Sequence, residues 1–167
     1  RGVPVQRLRE DDAIGSLSLS DKRLGVIAAE LLGLMLPAAT SLRDLSLAGN
    51  HLCGRDDEGD GTCTAEGIIK LCEGLKGSAV TSLDLEDNRL GPEGAAAIAE
   101  GLKGNTTLQS LNLRGNNIGP EGAAALAEGL KGNTTLRSLK LAGNQLCGLD
   151  DEGNGTYTAE GITKLCK

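Results

Sequence analysis

Aromatic side chains are almost missing from this chain, which has one tyrosine, no tryptophan and no phenylalanine in 167 residues. Protein-binding hot spots favour Trp, Tyr and Arg. A recognition surface built here must therefore work through arginine, asparagine, charged groups and shape. The core is confined to Leu, Ile, Val, Ala and Cys. His51 is the only histidine. A single imidazole in a turn does not supply the partnered base that acyl transfer by a Ser/His/Asp set requires. No G-x-x-x-x-G-K-[ST] loop is present to hold a nucleotide, so no enzyme and no cofactor is expected. A net charge of −6 argues against nucleic acid, because phosphate contacts need clustered Lys and Arg. No apolar run approaches the roughly 20 residues of a membrane-spanning helix. The longest such stretch, Val26 to Pro37, contains Glu30, and no membrane insertion is expected. The five cysteines are odd in number and form no dense framework. That pattern points to reduced thiols and a cytoplasmic setting. None are spaced as the Cys-x-x-Cys pair that begins a zinc site.

What the chain does have is a repeat, the first thing to look for in any sequence. It is clearest at Leu108-Gln109-Ser110-Leu111-Asn112-Leu113-Arg114-Gly115-Asn116-Asn117-Ile118, which reads L-x-x-L-x-L-x-x-N-x-I. The pattern begins at Ile14, Leu42, Val80, Leu108 and Leu136, in steps of 28, 38, 28 and 28 residues. Alternating apolar residues predict a short strand with one buried face. Asn50, Asn88, Asn116 and Asn144 recur at one position. An amide offers donors and an acceptor together, so these asparagines are read as satisfying turning backbone inside a stack. A helix follows each strand. Gly91-Pro92-Glu93 and Gly119-Pro120-Glu121 place Pro at the first helical position and a carboxylate at the positive end of the dipole. Lys103-Gly104 and Lys131-Gly132 close the helices. Ala95/Ile98/Leu102 and Ala123/Leu126/Leu130 form the inward stripe. The small residues around them should let neighbouring helices approach closely.

One strand and one helix per repeat, joined in parallel, predict an α/β solenoid with strands on the concave side and helices on the convex side. In these features the chain resembles the leucine-rich repeat family. It is most similar to the ribonuclease-inhibitor-like subclass found in NOD-like receptor arrays and Ran GTPase-activating proteins. The resemblance runs from Ile14 to the end. It implies a horseshoe fragment and a protein partner. Five units are expected, over 14–41, 42–79, 80–107, 108–135 and an incomplete 136–167, preceded by residues 1–13 as a cap or the tail of a missing segment. The last helix stops at Lys167, before the Gly-Leu-Lys-Gly ending of its sisters, so the chain reads as part of something longer.

Several departures from the repeat are informative. Lys22 stands where repeat one should carry Asn. The helix of that repeat places Leu31, Leu34 and Met35 where its sisters are polar or small, while Ala29, Leu32 and Leu36 already supply the inward stripe. A contiguous apolar face of this kind marks a contact, made within the chain or with a partner. Repeat two carries an insertion from Cys53 to Thr64, with Thr64 expected as the N-cap of the next helix. Repeat five repeats the insertion at Cys147–Thr158. Asp56, Glu58 and Asp60 resemble the start of a calcium loop, but Gly67 stands at the position of the bidentate Glu. Solvated charges at a hairpin tip are the plainer reading, and no metal site is expected. Cys53 and Cys63 could close a small loop, although the second copy pairs Cys147 with Tyr157. Cys72 and Cys166 read as small buried hydrophobes. Asn105 and Asn133 lie in N-x-T sequons, as does Asn154. They read as polar loop residues after a helix-ending glycine rather than glycan acceptors.

The positions between the strand leucines form the concave face. Repeat two offers Arg43, repeat three Asp84 and Glu86, repeat four Asn112 and Arg114, and repeat five Lys140. This acidic patch flanked by basic residues serves either partner recognition or charge pairing between strands. The expected function is a non-catalytic protein–protein interaction module, a scaffold or recognition subunit of a larger assembly. The alternatives are a GTPase-activating protein of the Ran-activator type, acting through a loop residue such as Arg55, or the sensor region of a NOD-like receptor. The first rests on analogy of fold. The second needs a nucleotide-binding domain that this sequence does not contain.

Overall fold

A computed structural model describes residues 14–54 and 64–149. The strands are β1 (Ser16–Ser18), β2 (Asp44–Ser46), β3 (Ser82–Asp84), β4 (Ser110–Asn112) and β5 (Ser138–Lys140). They form one parallel sheet in chain order, with Leu17, Leu45, Leu83, Leu111 and Leu139 in register. Between them run α1 (Val26–Met35), α2 (Glu66–Lys76), α3 (Gly91–Leu102) and α4 (Gly119–Leu130). The architecture is an α/β solenoid. Each strand is only three residues long because only the middle leucine and the one two positions later need to face the core. Leu45, Leu47, Leu85, Leu111 and Leu113 are all buried there. The helices close the other side through Leu32, Ile68, Leu71, Ile98 and Leu126.

The buried asparagines stitch the stack together. Asn116 Nδ2 donates to the carbonyls of Leu85 and Arg114, while its Oδ1 accepts from the backbone N–H groups of Asn88 and Leu90. Asn144 does the same for Asn116 and Ile118, and Asn50 for Lys22 and Leu24. Each amide therefore completes the turn of the repeat before it. Asn88 is the exception among the described residues. Its Oδ1 is buried without a partner, at the junction with the insertion-bearing repeat two.

A second set of polar residues ties the helix-to-strand loops, and here the sequence reading needs correction. Asn105 and Asn133 are not simple loop residues. Asn105 is 5% exposed; it donates to Leu75 O and accepts from the N–H groups of Thr107 and Leu108. Asn133 repeats this with Leu102, Thr135 and Leu136. Ser78 holds the same place in repeat two, bonding Leu75 O and Val80 N. Thr64 also differs from expectation. The helix starts later, with Ala65 as the N-cap and no side-chain cap bond, so Glu66 meets the positive end of the dipole instead.

Neighbouring helices touch through glycine. A Cβ on Gly74 would collide with the Gly33 carbonyl, and one on Gly129 with the Ala99 carbonyl. At Gly101 the obstacle is the side chain of Cys72. Burial of this thiol pushes its pKa from 9.0 up to about 12, with Lys76 lowering it and Glu73 raising it by smaller amounts. An apolar cavity of about 10 Å³, lined by Cys72, Leu75, Ile98 and Leu102, lies at this α2–α3 junction. That volume is at the limit for a single water.

Candidate protein-interaction surfaces

Three surfaces stand out, and the strand face is the first. Its side chains form a ladder across four strands. Ser20 and Ser46 share a hydroxyl bond of 2.8 Å, and Ser46 donates to Asp84 Oδ2 at 3.4 Å. Asn112 Nδ2 then reaches both Asp84 Oδ1 at 2.9 Å and Glu86 Oε2 at 2.8 Å. Arg114 completes the run with an ion pair to Glu86 at 3.7 Å. Asp84, Glu86, Asn112 and Arg114 are thus brought together as a pre-ordered acidic patch, most of whose bonding capacity is used within the sheet. Arg43 and Lys140 stand apart from it. Arg43 turns back to the carbonyls of Thr40 and Leu42. Lys140 is exposed and has no ion-pair partner among the described residues.

The second surface is the outer side of α1. Leu34 is 74% exposed and Leu31 45%, whereas Met35 is half-buried. Ile27, 72% exposed, extends this face by one turn. Counted back from the helix end, Ile27 stands where α3 carries Glu93 and α4 carries Glu121. On the i, i+4, i+7 spacing of one helix face, Ile27, Leu31 and Leu34 form an apolar stripe.

The third surface carries residues that the strand pattern does not single out. Just beyond the C-terminal ends of the strands, a cleft of about 460 Å³ is lined by Asp21, Arg23, Gly49, His51, Asp87, Arg89, Gly115 and Asn117. These residues flank the asparagine position on either side. Asp21, Arg23, Asp87, Arg89 and Asn117 all have φ between 52° and 56°, and Gly49 and Gly115 have φ of 63° and 64°. Left-handed backbone suits Gly, Asn and Asp and disfavours bulkier residues. The Asp21 carboxylate rests over Gly49, and the Asp87 carboxylate over Gly115, where a Cβ would displace them. The signal in the sequence is the alternation of Asp-x-Arg (Asp21 to Arg23, Asp87 to Arg89) with Gly-Asn-x (Gly49 to His51, Gly115 to Asn117).

The calcium-like residues Asp56, Glu58 and Asp60, and Arg55 with them, lie outside the described residues, as do Cys63, Cys166 and the Asn154 sequon. Cys72 and Cys147 are free thiols. Cys53 is fully buried, with Sγ 3.5 Å from Leu90 O. Among the described residues, no helix is long and apolar enough to cross a membrane.

Comparisons with known proteins agree on the repeat. A family model described as leucine-rich repeat matches residues 79–99, 104–127 and 132–153. The Tonsoku-like protein of Bos taurus is 46% identical over 71 residues, a segment covering 42% of this chain and only 4% of that protein's length. Among solved structures, actin-binding site 2 of leiomodin-1 matches with a TM-score of 0.69 at 22% identity, covering 83% of this chain and 76% of that one. The tropomodulin C-terminal domain of Caenorhabditis elegans matches with a TM-score of 0.64 at 17% identity, covering 97% and 86%. At such identities the structural likeness is one of fold.

Proposed function

The chain is a leucine-rich repeat protein, and on that premise we propose that it is a non-catalytic protein–protein interaction module, a scaffold or recognition subunit of a larger assembly. The repeat length and the full helix in each of the first four units support the ribonuclease-inhibitor-like subclass. The observation that carries the reading is the strand-face ladder. Its acidic pair, Asp84 and Glu86, is held in place by Ser46, Asn112 and Arg114 before any partner arrives. Pre-ordered groups lose less conformational entropy on binding, which offsets the shortage of aromatic anchors. The partner-binding set is Arg43, Asp84, Glu86, Asn112, Arg114 and Lys140, with Leu31, Leu34 and Met35 on α1 as a separate contact. The free thiols support a reducing, cytoplasmic setting.

The test is crosslinking mass spectrometry on protein purified from its native source. Stoichiometric crosslinks from Lys140, Lys22 or Lys76 to one other protein are expected. A monomer without recurring crosslinks would overturn the subunit reading. Actin belongs among the purified candidates, because a domain that shares this fold is named for binding it. No observation favours GTPase activation over this reading.

A further inference from the structure

We propose that the cleft at the C-terminal rim of the sheet docks an extended, mixed-charge segment of a protein partner, with basic groups along one wall and acidic groups along the other. The proposal rests on the reading of the chain as an interaction module and places the recognition site within it.

Four observations support it. First, the charge of Asp21, Arg23 and Asp87 is unspent. The side chains of Asp21, Arg23, Asp87 and Asn117 make no hydrogen bond or ion pair among the described residues, unlike those of the strand-face ladder a few residues away. Second, the backbone does not explain the arginines. Arg23 and Arg89 occupy left-handed positions with φ of 53°. Repeats four and five place Asn117 and Gln145 at the same position, and Asn suits that conformation better. What Arg23 adds at that position is its side chain.

Third, the two signs are sorted into rows. Arg23, His51, Arg89 and Asn117 follow the asparagine position, one per repeat, and present donors. Asp21 and Asp87 precede it and present acceptors, each seated over the glycine of the next repeat. Arginines two strands apart recur at about 10 Å. Fourth, neither a simple anion nor a simple cation fits. A phosphate or poly-acidic segment meets Asp21 and Asp87 and the overall charge of −6; a poly-basic segment meets Arg23 and Arg89. In an extended segment, successive side chains point to opposite sides. Alternating acidic and basic residues thus line up one sign along each edge and satisfy both walls.

The test uses the full chain and short fluorescein-labelled peptides of equal length, read by anisotropy at low ionic strength. The probes are a strictly alternating glutamate–lysine peptide, a block peptide with all its glutamates before all its lysines, a poly-glutamate and a poly-lysine. The alternating peptide is expected to bind about tenfold or more tightly than the other three. Arg23→Asn and Asp87→Asn should each weaken it several-fold. Arg23→Asn installs the residue that repeat four uses at that position, so unchanged melting will separate lost recognition from lost folding. Equal binding of the poly-lysine peptide, binding that ignores both substitutions, or no binding by any peptide would overturn the cleft. The crosslinked native partner distinguishes this failure from that of the broader reading. If capture survives Arg23→Asn and Asp87→Asn but is lost in Lys140→Glu or Leu34→Glu, the interaction module stands and the cleft is not its site.

Discussion

The α1–α2 and α3–α4 interfaces are built backbone against backbone, whereas the α2–α3 interface has a side chain wedged into it. The same position of successive helices carries Gly33, Cys72 and Ala99, and the residue facing it on the next helix is always glycine: Gly74, Gly101 and Gly129. Where the first residue is Gly or Ala, the facing glycine approaches a main-chain carbonyl. Where it is Cys72, the facing glycine meets Cβ and Sγ. The small cavity and the displaced thiol pKa both occur at that middle junction. The lesson is that one atom of side chain at a repeated contact sets how tightly two repeats close.

The comparison predicts an order of effects. Gly74→Ala should cost most, on the order of 3 kcal/mol, because the rigid Gly33 carbonyl cannot yield; overpacking of this kind outweighs the roughly 1 kcal/mol of helix propensity gained. In a thermal melt this corresponds to a fall of about 10 °C. Gly101→Ala should cost less, about 1–2 kcal/mol, because Cys72 Cβ and Sγ stand farther from the added methyl than the Gly33 carbonyl does at Gly74. Cys72→Ala in the same chain removes Sγ but keeps Cβ, so it should restore only part of that loss, a coupling of about 0.5–1 kcal/mol between contacting residues. Equal losses at Gly74 and Gly101, or no rescue by Cys72→Ala, would show that the wedge does not matter.

The smallest effect concerns pH. Below pH 9 the thiol is protonated in the folded and unfolded chains alike. Above it the unfolded chain releases the proton, while Cys72 retains it up to about 12. The unfolded state gains, so stability falls as pH climbs from 9 toward 12. Between pH 9 and 10 the wild type should lose about 1 kcal/mol or slightly less relative to Cys72→Ala. Parallel urea melts of the two proteins would reveal it, and superimposable pH profiles would contradict it.

Much of this was legible from the chain alone, for reasons visible in particular residues. The leucine spacing around Leu83 and Leu111 fixes which face is buried, and Asn50, Asn88, Asn116 and Asn144 have no role in a solvated turn. The small residues of α3 and α4 announced close helix packing. What escaped depended on conformation rather than period. Asn105 and Asn133 sit in segments that look polar and open, yet their amides reach back 30 and 31 residues to carbonyls of the preceding repeat. The start of α2 depends on where the insertion releases the chain, which spacing does not encode. The rim cleft is made by left-handed residues on either side of Asn, and a search for alternating apolar residues passes over them.

The asparagine spine also has a direction in time. Asn116 finishes the turn of repeat three, and Asn144 finishes that of repeat four; none of these bonds can form until the later repeat has been made. As the chain emerges from the ribosome, each of these turns waits with its N–H groups open until the next asparagine, 28 residues later, arrives to close it. Growth of the solenoid is thus a sequence of deferred completions, in which the most recently made repeat is always the least finished one.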